Sequence, residues 1–167
     1  DAKKQVEKYF ASLKRGPEVP KLNVVTPPIE KERRAIISDR VELPQVNMAW
    51  ITPQIFKPGD ADMDIASQIL AGGKSSRLYK KLVYEKQIAQ NVSAYQQSLM
   101  LGSVFVISAT ARPGHTAEAL EKAIDEELQK LLNEGPEQKE VDRARNLIET
   151  GTVQGLEKVG GFGGGRR

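Results

Sequence analysis

The sequence contains no cysteine and a single histidine, His115, among its 167 residues. The first absence excludes a disulfide framework, a thiolate metal site and a cysteine nucleophile, and it leaves the redox compartment open. The second excludes a self-sufficient zinc hydrolase, which needs two or three nitrogen or carboxylate ligands and a general base. Neither HEXXH nor HXXEH occurs anywhere in the chain. His115 sits between Gly114 and Thr116, where a turn residue at the mouth of a helix is expected. A serine nucleophile would lack a GXSXG elbow and would have only that histidine as a base. Aromatic residues are scarce, with four Phe, four Tyr and one Trp, and no RNA-binding aromatic motif accompanies the lysines. No nucleic-acid partner is therefore expected. No apolar run approaches the roughly 20 residues of a membrane helix, and the N-terminus lacks the apolar core of a signal peptide.

What is present suits one domain with a real core: 39% apolar and 28% charged residues. The net charge of +3 hides an asymmetry, because Thr116 to Thr150 carries ten acidic and five basic residues. Solvated helix faces account for this better than an anionic partner does.

Taken in order, Asp1 to Leu13 places Ala2, Val6, Tyr9, Phe10 and Leu13 on one face of an amphipathic helix. The chain begins inside that helix, without Met, as a domain cut from a longer protein would. Pro17, Pro20, Pro27 and Pro28 make the next stretch an extended connector, so residues 1–30 form a helix and linker. Arg34 to Leu43 and Gln45 to Thr52 read as two strands separated by Pro44. Asp60 is expected to cap a helix with Asp62 and Asp64 in its first turn, stopped by Gly72 and Gly73. Ser75 or Ser76 would cap a second helix, with Leu78, Leu82 and Val83 inward and Arg77, Lys80 and Lys81 in water. Asn91 to Gln97 and Ser103 to Thr110 alternate as an antiparallel pair. Thr116 opens a helix carrying Leu120, Ala123, Ile124, Leu128, Leu131 and Leu132, ended by Gly135 and Pro136. A last helix runs from Glu137 to about Lys158 with Val141, Ala144, Leu147 and Ile148 inward. The order implies an α+β domain over residues 31–158: an antiparallel or mixed sheet with helices packed on one face. Residues 159–167 are glycine-rich, and Gly160, Gly161 and Gly163 read as a hinge or truncated linker.

Ala71 to Gln97 is the most distinctive stretch. Its GKS tripeptide at 73–75 resembles part of a phosphate loop, but that loop needs glycine where Gln68 stands and a preceding strand where helical spacing occurs. The DADMD run fails as a calcium loop, because Ile65 occupies the glycine position. Asp125, Glu126 and Glu127 read as a solvated helix face rather than a catalytic carboxylate pair.

GGKSSRLYKKLVYEKQIAQNVSAY, the strand ending in ATARPG, AIDEELQKLLNEGP and EVDRARNLIE together resemble the C-terminal, non-zinc half-domain of the M16 family of zinc metallopeptidases, related to insulinase, pitrilysin and processing peptidases. The resemblance covers most of Val46 to Phe162, and VEKYFASLKRGPEVP looks like the helix and linker that lead in. It makes Gly72, Gly73, Ser75, Ser76, Arg77 and Leu78 a family signature, expected to be structural. It implies an M16 fold and a parent zinc metalloendopeptidase whose zinc lies in a missing N-terminal catalytic half. That half and a second M16 lobe or subunit are the implied partners, closing a chamber around an extended peptide substrate. It suggests a bacterial, periplasmic setting. Many members carry an Arg and a Tyr in a pattern like LREExGLAY that hold the substrate and the developing oxyanion. The corresponding positions here are Val83 and Gln90, and valine cannot donate to an oxyanion. Tyr84 is adjacent but faces another side of the helix. The expectation is an inactive, non-catalytic half-domain without metal, cofactor or catalytic residues of its own. The alternative is a structural or assembly subunit of M16 fold that has lost proteolysis.

Overall fold

The computed structural model describes residues 1–20 and 25–157. Its centre is a three-stranded antiparallel sheet of order β1-β3-β2, formed by β1 (Gln45–Thr52), β2 (Ala89–Gln97) and β3 (Ser103–Ala111). The α+β expectation holds, and every strand pair is antiparallel. The central strand alternates strictly: Ser103, Phe105, Ile107, Ala109 and Ala111 are buried, while the residues between them are half-exposed. Period-two patterning thus sends one face of β3 into the core.

Helices α2 (Asp60–Ala71), α3 (Ala117–Glu134) and α4 (Gln138–Glu157), with a short π-helix at Tyr79–Glu85, supply the other half of that core. Leu70, Leu78, Leu82, Leu120, Ala123 and Ile124 meet Phe105, Ile107 and Ala109 in one cluster. Trp50 and Phe105 extend it at one end, their rings 6.3 Å apart and tilted. On the opposite sheet face, register aligns Asn47, Ser108 and Ser93 in one row and Ala49, Val106 and Tyr95 in the next. Ser108 donates to Asn47 Oδ1 at 2.7 Å across the first row.

Several expectations change. Arg34 to Leu43 is not a strand: among the described residues none of 27–43 takes part in a backbone–backbone hydrogen bond. β-propensity needs a ladder to act on, and the described chain offers none there. Asp60 is the first helical residue rather than the cap, which is Gly59 at φ 94°. Its carboxylate turns back to accept from Phe56 N at 3.1 Å, holding that residue at φ 62°. Ser76 does precede the next helix, which starts at Arg77, and its carbonyl accepts from Lys80 N at 3.0 Å, but its Oγ donates back to Gly73 O at 2.6 Å instead of accepting from the first turn. Leu147, expected inward, lies on the surface, as does Leu132, since each stands at the edge of its helix's apolar stripe. Thr116 does cap α3, accepting from Ala119 N at 3.3 Å. The leading helix α1 (Ala2–Phe10) forms as read but buries no residue.

Candidate functional site

The glycine break after α2 is built by sterics. A Cβ on Gly72 would lie 2.4 Å from the carbonyl oxygen of Gln68, and Gly73 turns the chain at φ 92°. Those two glycines carry Ser76 and Leu78 into full burial within six residues.

Arg77 emerges from this turn into a partly buried site rather than into water. Its Nε donates to Glu140 Oε1 at 2.9 Å and its Nη2 to Glu140 Oε2 at 2.6 Å. A third bond runs from Nη2 to the carbonyl of Gly135 at 3.1 Å. The two side chains are only 13% and 12% exposed. Glu140 also accepts from Glu137 N at 2.9 Å, closing the first turn of α4. The Arg77 fork holds the Glu140 carboxyl below its usual range, and Glu140 in turn raises the guanidinium. Arg143 donates to Ser75 O at 3.2 Å. The signature residues 72–78 are therefore brought together with the α3–α4 corner.

The helix that follows is wound wide: Lys86 N donates to Lys81 O, an i→i+5 bond, at 2.9 Å. Val83 lies inside it, 8% exposed and packed in the core. Gln87 then adopts φ 53°, after which Gln90 occupies a β-bulge at the start of β2 with its side chain exposed. Arg112 fastens this passage, donating from Nε to Ala89 O at 3.1 Å and from Nη2 to Val83 O at 3.3 Å. Val83 and Gln90 thus point into different environments, one apolar and one aqueous. Tyr84 is 77% exposed, where its neighbour Val83 is buried.

A second polar cluster lies at one end of the sheet. Asp60 Oδ1 accepts from Ser98 Oγ at 2.6 Å and Gln96 Nε2 at 3.0 Å. Those two bonds hold its carboxyl below the usual range.

None of these groups forms a nucleophile–base pair. Among the described residues no set of three His, Cys, Asp or Glu could hold a metal ion, so these residues do not fit a zinc centre. A charged groove of about 320 Å³ runs between the π-helix and α3, edged by Lys81, Glu85, Glu127 and Lys130. No described helix is long and apolar enough to cross a membrane. Gly160, Gly161 and Gly163 lie outside the described residues.

Sequence reasoning found the glycine break, put Arg77 in the signature but in water, and missed Glu140, Arg112 and the Asp60 cluster. Only Glu140 had a signal, an acid at the third residue of a helix that opens after Gly135-Pro136.

Comparison with known proteins bears on this arrangement. The family model described as the peptidase M16 inactive domain matches residues 1–148. The zinc protease PqqE of Helicobacter pylori is 30% identical over 154 residues, which are 90% of this chain and 35% of that protein. A crystal structure of a protease from H. pylori superposes with a TM-score of 0.83 at 29% identity, over 93% of this chain and 38% of that one. An inactive peptidase domain from Bordetella parapertussis gives a TM-score of 0.63 at 25% identity, over 70% of this chain and 63% of that one. The chain spans about a third, or less, of the length of the curated relatives it matches.

Proposed function

The chain belongs to the peptidase M16 inactive-domain family, and from that premise we propose that it is the non-catalytic half-domain of a zinc metallopeptidase. In this reading it supports a catalytic half carried elsewhere in the protein and walls the chamber in which an extended peptide is held. The zinc and its ligands belong to that other half. A second lobe or subunit of the same family closes the chamber from the opposite side.

The observation that carries this reading is the burial of Val83. The position where many family members carry an arginine toward the substrate is here an aliphatic side chain packed in the core. It can neither donate a hydrogen bond nor reach one. The backbone around it supports the alignment, because the residue opposite the glycine of that family pattern, Gln87, takes the left-handed conformation that favours glycine. Gly72, Gly73, Ser75, Ser76, Arg77 and Leu78 act in this reading as an internal brace that fixes the π-helix against α4.

The purified chain supplied with zinc is expected neither to bind the metal tightly nor to cleave an unstructured peptide. Peptide cleavage that a chelator abolishes would overturn the assignment.

A further inference from the structure

We propose that the outer edge of β1 pairs with the same edge of a second copy of this chain, the two strands running antiparallel about a two-fold axis at Met48. β1 lies at one edge of the sheet and is bonded to β3 on one side only. Ala111 N donates to Pro44 O at 2.9 Å, which makes 44 and 111 a hydrogen-bonded pair. The alternation of an antiparallel ladder then turns the amides and carbonyls of Val46, Met48, Trp50 and Thr52 toward β3. Those of Gln45, Asn47, Ala49 and Ile51 point away from the sheet. Among the described residues no backbone–backbone bond outside the β1–β3 ladder reaches these four.

A sheet edge left open to water is normally guarded by lysine, proline or a bulge. The other edge strand, β2, carries a bulge between Ala89 and Asn91, whereas β1 keeps unbroken register from Gln45 to Thr52. No charged residue occurs between Glu42 and Lys57, and Pro44 and Pro53 stand just beyond the ends of the strand. The edge is therefore a neutral, regular template for strand addition.

A second copy meets what this edge requires of a partner: an uncharged strand, apolar on the core side and small or polar on the open side. β1 itself has that pattern, with Val46, Met48 and Trp50 opposite the buried Ala109, Ile107 and Phe105, and Asn47 and Ala49 on the other face. An axis at Met48 sets Val46 opposite the partner's Trp50, Asn47 opposite the partner's Ala49 and Gln45 opposite the partner's Ile51. Every outward amide and carbonyl from Gln45 to Ile51 then has a bond. The Trp50 indole, 40% exposed at this edge, gains a β-branched neighbour. Two neutral edges meet without repulsion, and a two-fold contact of like with like closes at two copies. One strand pair buries far less than the roughly 1,600 Å² of a standard interface, so association should be weak. An extended peptide from another protein is the competing occupant. The proposal goes beyond the functional reading above and does not depend on it.

Sedimentation equilibrium of the 167-residue chain from about 5 to 500 μM tests it, because association responds to concentration. The average mass should rise from 18.4 kDa toward twice that value. A mass that stays at the monomer would leave the edge to a peptide and overturn the proposal. Over the same range amide exchange at Asn47, Ala49 and Ile51 should slow roughly 10-fold or more. Dimerisation without that slowing would put the contact on another surface and overturn it as well. Two double variants test the register, with all new side chains on the open face and the core untouched. Asn47→Lys with Ala49→Lys sets lysine opposite lysine across the axis and should weaken association at least about 10-fold. Asn47→Lys with Ala49→Glu sets opposite charges in the same positions and should associate at least as well as wild type. Dimerisation that survives in the first variant, or is lost in the second, would overturn the pairing.

Discussion

The leading segment through Pro44 and the body from Gln45 to Glu157 are patterned by the same rules and end in opposite states. Val6, Tyr9, Phe10 and Leu13 line one face as regularly as Leu120, Ala123 and Ile124 do in α3, yet the first set is more than half exposed and the second is buried. Likewise Ile36 and Ile37 stand in water while Ile107 is sealed between sheet and helices. Amphipathic periodicity states which face must be covered; it does not state by what. In the body the cover is another element of the same described chain. In the leading segment no described element supplies it.

The largest effects should separate the two regions directly. Leu82→Ala and Ile107→Ala remove fully buried side chains and should each cost about 2–5 kcal/mol in urea unfolding. Phe10→Ala and Ile36→Ala, in the same chain, should stay within about 0.5 kcal/mol of wild type. A comparable loss from Phe10→Ala would erase the distinction between segment and body.

Next comes the brace. Arg77→Ala strands the Glu140 carboxylate and the Gly135 carbonyl in a partly buried site, and a loss of about 2–4 kcal/mol is expected. Arg77→Lys should recover only part of it, since an ammonium cannot reproduce the two-pronged contact. The corresponding change at Arg34, whose pair with Glu121 ties the leading segment down at the surface, should cost far less.

Acid should act on the body through the same pair. The folded-state pKa of Glu140 lies below its unfolded value, mainly because of the hydrogen bond from Arg77. Its contribution is therefore complete above the ordinary glutamate value near ~4.3 and is lost as pH falls through the lower folded value. Asp60 is shifted in the same direction by Ser98 and Gln96 and should add to the loss. Urea midpoints measured from pH 7 to pH 3 should fall, and the Arg77→Ala variant should fall less steeply.

The smallest effect concerns the entry to β2. Gln87 is a left-handed non-glycine residue, so Gln87→Gly should be neutral or stabilising by up to about 1 kcal/mol. Gln87→Val should lose about 1–2 kcal/mol, because a branched side chain tolerates that conformation worst. A destabilising Gln87→Gly would remove the backbone argument for aligning Val83 and Gln90 with the family pattern.

Much of the body was legible in the residues. Thr116 and Gly135 bound α3, and the alternation of Ser103 to Thr110 forecast a strand with one buried face. Three features were not legible, each for its own reason. Residues 34–43 form no ladder with any described strand, and local sequence does not say whether a ladder is on offer. The winding of Tyr79–Glu85 depends on where the surrounding core lets Leu82 and Val83 settle. Arg77 looked like one more lysine-flanked surface cation, and its partner Glu140 is 63 residues away. Local spacing carries no information about a contact at that distance.

By itself the sequence determined which residues seek burial, where the chain must turn, and which chemistry is missing: these are properties of side chains and of one or two backbone angles. Tertiary structure alone decided which apolar faces found cover, that Arg77 is a brace, and that Val83 is sealed in the core. Those outcomes rest on contacts between distant segments, whose free energy exists only once the sheet and helices have closed on each other.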